Sequence, residues 1–196
     1  MNVYDFDKTI YPHDSATDFF WFCVRRHPAA LLSLPGAAVT ALTHLGKPGL
    51  HGAVKERIYS FLRHVPDVAG AVSAFWDENL DRIYPWYLAR RREDDVILSA
   101  SPTFLVGEAC RRLGVRGMGT EMDMGTGRLL SPNCRGAEKI RRFRAVYGDT
   151  PVEEFFSDSF ADRPMMELAE RSYLMKKGAV AAQVKPTAVK GERNTL

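Results

Sequence analysis

The sequence predicts an α/β protein, an open and mostly parallel sheet flanked by helices, with a long helical insertion after its first strand. Three observations carry this. From Asp95 onward short apolar runs such as "VILSAS" and "EFFS" alternate with helical stretches, the pattern of parallel strands joined by helical crossovers. The first apolar run, "VYDF" at 3–6, is separated from the next by a stretch from about Asp14 to Arg92 that is helical throughout. Each run also ends in polar side chains: Asp5 and Asp7, then Ser99, then Asp158 with Asp162 four residues on.

The elements follow in order. Residues 2–7 read as a strand because Val3, Tyr4 and Phe6 favour extended chain. "DSATDFFWFCVRR" starts a helix, with Asp14 and Ser15 as candidate N-caps and Asp18 three residues after Ser15 as in a capping box. "HGAVKERIYSFLRHVP" and "PDVAGAVSAFWDENLDRIY" continue the helical insertion, punctuated by Pro66. After the strand 96–101, "FLVGEACRRLG" is a helix stopped at Gly114, and "EMDMGTGRLLSP" reads as a hairpin turning at Gly-Thr-Gly. "GAEKIRRFRAVYG" is a helix ended by Gly148, "EEFFSDS" a strand, 162–171 a helix and "SYLM" a closing strand. The polar tail from Lys185 to Leu196 reads as loose.

Composition narrows the function classes. A chain of 196 residues fits one domain with an insertion, or two small ones. The net charge of +3 is mild, and the arginine clusters fall in helical stretches without forming one basic tract, which argues against nucleic-acid binding. Cys23, Cys110 and Cys134 lie far apart, with neither metal-ligand spacing nor a disulfide framework, so reduced intracellular thiols are expected. The acidic pair starting at residue 5 leaves no room for a secretory signal ahead of it, so the expected location is cytoplasmic. Residues 29–45, "AALLSLPGAAVTALTHL", carry no Asp, Glu, Lys or Arg. They are shorter than a membrane span and interrupted by Pro35-Gly36, and read as buried or interfacial helix. Peripheral membrane contact stays open; the sequence does not set the oligomeric state.

In open parallel sheets ligands bind beyond the carboxyl ends of the strands. There the sequence brings together Asp5, Asp7, Ser99 and Asp158, with Lys139 at the start of a helix beside them. Carboxylates, a hydroxyl and an ammonium form a phosphoryl-transfer constellation. Mg²⁺ is usually bound by one or two carboxylates plus phosphate and water, a task for Asp5 and Asp158. A carboxylate can attack phosphorus, with Lys139 and the metal compensating charge and Asp7 placed as the second acid. Ser99 and nearby backbone N–H groups, that of Ala100 included, would bind phosphoryl oxygens. Bland readings stand beside these. Lys139 alone reads as a solvated helix lysine, Asp14 as an N-cap, Ser99 as a strand end, Ser101-Pro102 as a helix opening and Asp162 as a helix cap.

The order "DFDKT" (5–9), "LSAS" (98–101), Lys139 and "SDSFAD" (157–162) resembles the four motifs of the haloacid dehalogenase-like hydrolase superfamily. The helical insertion looks like the cap of its phosphoserine phosphatase-like branch, and "SPNCRGAEK" (131–139) looks like that branch's approach to its lysine. The resemblance implies a Rossmann-like catalytic core of residues 1–12 and 93–184 and a helical cap of 13–92. It implies Asp5 as nucleophile and Asp7 as general acid/base, with the Asp7 main-chain oxygen on Mg²⁺. Thr9 would steady the loop, Ser99, Ala100 and Lys139 would hold phosphate, Asp158 would bind the metal and Asp162 would support it. Departures exist too. Lys8 stands where many members carry Gly or Ser, and Ser99-Ala100-Ser101 where phosphoserine phosphatases usually have Ser-Gly-Gly. Asp14 sits near the position of a Glu that binds the substrate's amino group, and is the candidate specificity residue. These departures point away from phosphoserine itself; the acid at position 7 points away from dehalogenation.

The expected activity is Mg²⁺-dependent hydrolysis of a small phosphomonoester through an aspartyl-phosphate. A phosphotransferase would use the same residues. A lipid-phosphate phosphatase at a membrane surface is a third reading, suggested by "FFWF" (19–22), Trp21, Trp76, Trp86 and the charge-free stretch. A non-catalytic module would have lost an acid, and none is lost.

Overall fold

The computed structural model describes residues 1–43 and 50–184, all but two of them (50 and 51) with their side chains. The predicted tail 185–196 and the last two residues of the charge-free stretch, 44 and 45, lie outside the described residues.

The architecture is the expected α/β one. Among the described residues six strands, β1 (Asn2–Tyr4), β2 (Val96–Pro102), β3 (Arg116–Thr120), β4 (Glu154–Ser157), β5 (Arg171–Lys176) and β6 (Ala179–Val184), form one sheet in the order β3-β2-β1-β4-β5-β6. The first five run parallel and β6 returns antiparallel along β5. Among the described residues five helices lie between β1 and β2: α1 (Ser15–Arg26), α2 (Ser33–Thr43), α3 (Leu50–Tyr59), α4 (Val68–Asn79) and α5 (Pro85–Arg90). Helix α6 (Thr103–Leu113) joins β2 to β3; α7 (Ala137–Tyr147) precedes β4 and α8 (Arg163–Leu168) follows it.

Strand periodicity divides the core in two. Val3, Val96, Leu98 and Phe155 point to one face and pack with Phe143 of α7 and Met165 and Met166 of α8. Their neighbours Tyr4, Ile97 and Phe156 point to the other, into a cluster with Phe19, Phe22, Phe61, Phe75, Trp76 and Tyr87 of the insertion. The insertion thus shares a core with the sheet. Trp76, fully buried, donates its indole N–H to the Leu105 carbonyl of α6 at 2.7 Å.

Register then positions the site. Tyr4 pairs with Ile97 on one side and Phe156 on the other, so Asp5, Ser99 and Asp158 all follow within two residues of the same level on one edge. β1 stops at Tyr4, shorter than the expected 2–7. The Phe6 carbonyl accepts the N–H groups of Thr9, Ile10 and Tyr11, and Lys8 takes a left-handed φ of 58°, which folds the chain back at once.

Several elements differ from the sequence expectation. β3, "RGMGT", offers no alternation of large apolar residues, yet its glycines are what let it pack. A Cβ at Gly117 would lie 2.4 Å from Cys110 Sγ, and one at Gly119 2.5 Å from the Ser101 carbonyl oxygen. The expected 121–132 hairpin is a loop with a single bridge, Met122 to Leu129, tightened by Asp123 accepting from the N–H and hydroxyl of Thr126. The expected 162–171 helix is a 3-10 turn at Phe160–Asp162 followed by α8, which ends at Leu168. β6 carries no strand signal in the sequence, because "AVAAQV" is an exposed edge strand with little to bury. Pro35 does not interrupt α2, because it falls in the helix's first turn, where a missing N–H costs nothing. Among the described residues no helix is long and apolar enough to cross a membrane.

Candidate active site

Asp5 leaves β1 with its N–H still donating to the Phe156 carbonyl at 2.8 Å, which fixes its backbone against β4. Its Oδ1 accepts a hydrogen bond from Lys139 Nζ at 2.7 Å, and the same ammonium donates to Asp162 Oδ2 at 2.6 Å. Lys139 is 1% exposed, so the solvated-lysine reading does not describe it. Its position follows from the start of α7. Gly136, at φ 58°, turns the chain into the helix, and its N–H donates to Asp162 Oδ1 at 3.2 Å. Ser157 Oγ donates to Asp162 Oδ2 at 3.0 Å. Asp162 is therefore a bracket holding Lys139 and the α7 entrance, at the end of a 3-10 turn.

Asp7, partly buried, accepts from the Ser15 N–H at 2.7 Å through Oδ1 and from the Ser101 hydroxyl at 2.6 Å through Oδ2. Ser99, fully buried, reaches Asp7 only at 3.5 Å and accepts the Ser101 N–H at 3.0 Å. Ser101, read from sequence as a helix opening, thus makes the close contact. Asp14 is the N-cap of α1, its Oδ1 accepting from the Thr17 N–H at 2.8 Å. Thr9 is buried; its N–H bonds to Phe6, and among the described residues its hydroxyl has no partner.

Burial raises the Asp5 carboxyl to about 7, with Asp162 and Asp7 adding to the rise and Lys139 opposing it. Asp7 is also raised by burial and by Asp14, against the Ser101 and Ser15 hydrogen bonds. Asp158 is raised by burial and eased by Lys8. On Lys139 burial works to lower the pKa, yet Asp5 and Asp162 outweigh it and hold the ammonium charged.

Asp5, Asp7, Asp14, Ala100, Lys139, Asp158 and Asp162 line one cavity of about 310 Å³, with Lys8, Asn133 and Arg135. Among the described residues no three His, Cys, Asp or Glu side chains form a metal cluster by themselves. The donors fit Mg²⁺ nonetheless. Asp5 and Asp158 are hard oxygen ligands, the number Mg²⁺ ordinarily takes from a protein, and among the described residues no His or Cys lines the cavity. Three carboxyls raised by burial and by neighbouring carboxylates mark a place that favours a cation.

One residue of this neighbourhood carries no sequence signal. Lys55, in the middle of α3, buries its ammonium against the Ala100 carbonyl at 2.6 Å, Asn133 Oδ1 at 2.7 Å and Thr120 Oγ1 at 3.3 Å. It ties the insertion to the ends of β2 and β3 through neutral acceptors alone among the described residues. Burial lowers its pKa from 10.5 to about 8, although Cys134, Asp7 and Asp14 pull it up. The unfolded chain therefore binds the extra proton between pH 8 and 10.5, and stability attributable to this group rises with pH across that window. The wild type should gain on the order of 2 kcal/mol relative to Lys55→Met between pH 7.5 and 10. Denaturant midpoints of both proteins across that range check it; parallel pH curves would contradict it.

Carboxyl groups just past neighbouring parallel strands, with a buried lysine among them, make this cavity the candidate active site. The chain belongs to the haloacid dehalogenase-like hydrolase family, whose family model matches residues 3–167, and it is a hydrolase. Comparison with curated proteins finds no match. Among solved structures, a protein of unknown function from Bordetella pertussis Tohama I superposes with a TM-score of 0.69 at 19% identity, over 89% of this chain and 88% of its own. A phosphoserine phosphohydrolase-like protein from Francisella tularensis subsp. tularensis SCHU S4 gives 0.54 at 15% identity, over 89% and 87%. A phospho-aspartyl intermediate analogue of phosphoserine phosphatase gives 0.52 at 15%, over 90% and 89%. At these identities the likeness is one of fold.

Proposed function

We propose that the protein is a Mg²⁺-dependent phosphomonoesterase working through an aspartyl-phosphate on Asp5. One observation carries the reading: Asp5, gripped by Lys139, shares a cavity with a second carboxyl, Asp7, whose pKa is raised by burial. In this reading residues 1–12 and 93–184 are the catalytic core, and 13–92 act as the cap that selects the substrate.

Lys139 engages Asp5 Oδ1, which leaves Oδ2 to attack phosphorus. The bond from phosphorus to the ester oxygen breaks, and Asp7, entering as the acid, gives its proton to the leaving alkoxide. Asp7 then takes a proton from the water that attacks the aspartyl-phosphate, which frees phosphate and restores Asp5. Lys139, the Ser99 hydroxyl and the Ala100 N–H hold the phosphoryl oxygens, and Ser15 and Ser101 keep Asp7 aimed. Mg²⁺, held by Asp5, Asp158 and the Asp7 main-chain oxygen, would supply positive charge that keeps the carboxylates ionised and neutralises the phosphate.

The test is a panel of phosphomonoesters assayed with Mg²⁺ and with chelator. Turnover should vanish on chelation and return with Mg²⁺. A saturating metal, at about 100 times its dissociation constant, should add roughly 2.7 kcal/mol of stability and raise the melting temperature by roughly 5–10 °C. Full turnover by the metal-stripped protein in chelator would remove the metal from the account.

A further inference from the structure

A second cavity, of about 690 Å³, shares Asp7, Asp14 and Ala100 with the acidic one, and lies on the insertion side of it. Its walls are apolar: Phe20 and Trp21 of α1, Leu34 of α2, Val54 and Ile58 of α3, and Phe61 beyond them. Its size falls within the roughly 300–1,000 Å³ of ligand pockets. Phe61 and Phe20 are buried, whereas Trp21 and Leu34 are 47% and 37% exposed and stand where the cavity meets solvent. Close by in the chain, Leu32, Val39 and Leu42 are exposed too, in a segment with no charged residue from 29 to 43. Surface apolar groups gathered this way mark a contact with something apolar.

The charges that a polar leaving group would need are few, and most are engaged. Among the described lining residues the charged ones are Asp7, Asp14 and Lys55. Asp7 is held by Ser15 and Ser101, Asp14 caps α1, and Lys55 donates to three neutral acceptors. An amino acid leaving group, with its ammonium and carboxylate, would meet at most the second Asp14 oxygen and, among the described lining residues, no unengaged cation, so its burial here would carry a heavy cost. A hydrocarbon would lose nothing and would bury apolar surface along the whole wall.

We propose that this cavity receives the leaving group of the substrate, and that the substrate is a phosphate monoester of a long hydrocarbon chain. The phosphate lies at Asp5, Asp7 and Lys139, and the chain runs past Phe20, Ile58 and Val54 to emerge between Trp21 and Leu34. This rests on the phosphomonoesterase reading for turnover; binding alone tests it separately.

The experiment measures, in Mg²⁺ buffer and below micelle-forming concentrations, the affinity of the full chain for butyl-, hexyl- and octylphosphonate, which bind without being hydrolysed. Affinity should rise at least tenfold from butyl to octyl, under a ceiling of about fourfold per methylene. Ala41→Trp, which fills the cavity, and Val54→Lys, which charges its wall, should each abolish that rise, so that octylphosphonate binds no more tightly than butylphosphonate. Equal affinities along the series in the wild type would overturn the proposal, whether or not the variants fold. So would an unchanged rise in both folded variants. Turnover of octyl phosphate in solution and of a long-chain monoester in phosphatidylcholine vesicles then distinguishes a free amphiphile from a bilayer lipid as the source. Turnover of short polar monoesters with neither long-chain form accepted would overturn the proposal. Chain-dependent phosphonate binding with no monoester hydrolysed would uphold the cavity and defeat the phosphomonoesterase reading instead.

Discussion

Asp5→Asn should fold and lose several powers of ten in turnover, on the scale seen when a covalent nucleophile is removed. The amide can still accept from Lys139, so the hydrogen bond at Oδ1 survives while the attacking charge is gone. Stability should move the other way. The Asp5 carboxyl rises on folding from 3.8 to about 7, so the folded state binds more protons between those values. The stability this confers is present below pH 3.8 and lost as pH climbs through 7. The metal-free wild type at pH 8 therefore carries a buried charge that the amide does not. Melting curves in chelator should place Asp5→Asn a few degrees above wild type at pH 8, by roughly 2–4 °C per kcal/mol, and near it at pH 4. A variant that melts lower at pH 8 would show that the Lys139 pairing outweighs burial.

Lys139→Met should have the largest effect on stability. The ammonium lies within 2.7 Å of Asp5 and 2.6 Å of Asp162, both buried. Removing it leaves uncompensated carboxylates in the interior, a loss of about 3–5 kcal/mol, and turnover falls with the phosphate-holding charge. At roughly 2–4 °C per kcal/mol the melting temperature should drop by about 10 °C. Adding Asp162→Asn to Lys139→Met should recover part of the stability and none of the activity. A single variant as stable and as active as wild type would mean that the lysine is an ordinary helix residue after all.

Much of this site is legible because its residues interrupt strong local patterns. Asp5 and Asp7 break an apolar strand and Asp158 follows one, where an acid needs a physical reason. Lys139 is different. Five basic residues lie between 135 and 144, and only its order among the motifs singles Lys139 out from solvated neighbours. Tertiary structure supplies what the chain cannot display. Lys55 matters only because α3 folds over the ends of β2 and β3. Ser101 takes the close contact with Asp7 because β2 carries it beside the end of β1, a neighbourhood that only the folded chain creates. β3 hides because its glycines serve close approach and carry no periodic signal.

The measurement that bears most directly on the mechanism is acid-quenched peptide mapping of the protein during turnover of an aryl phosphate with Mg²⁺, for wild type and Asp7→Asn. Loss of the Asp7 base should slow breakdown of the intermediate, so covalent phosphate should accumulate in Asp7→Asn to near one per chain. It should sit on the peptide that contains Asp5 and be released by hydroxylamine, as an acyl phosphate is. No covalent phosphate in either protein while wild type turns over, or the same labelling in Asp5→Asn, would contradict the account.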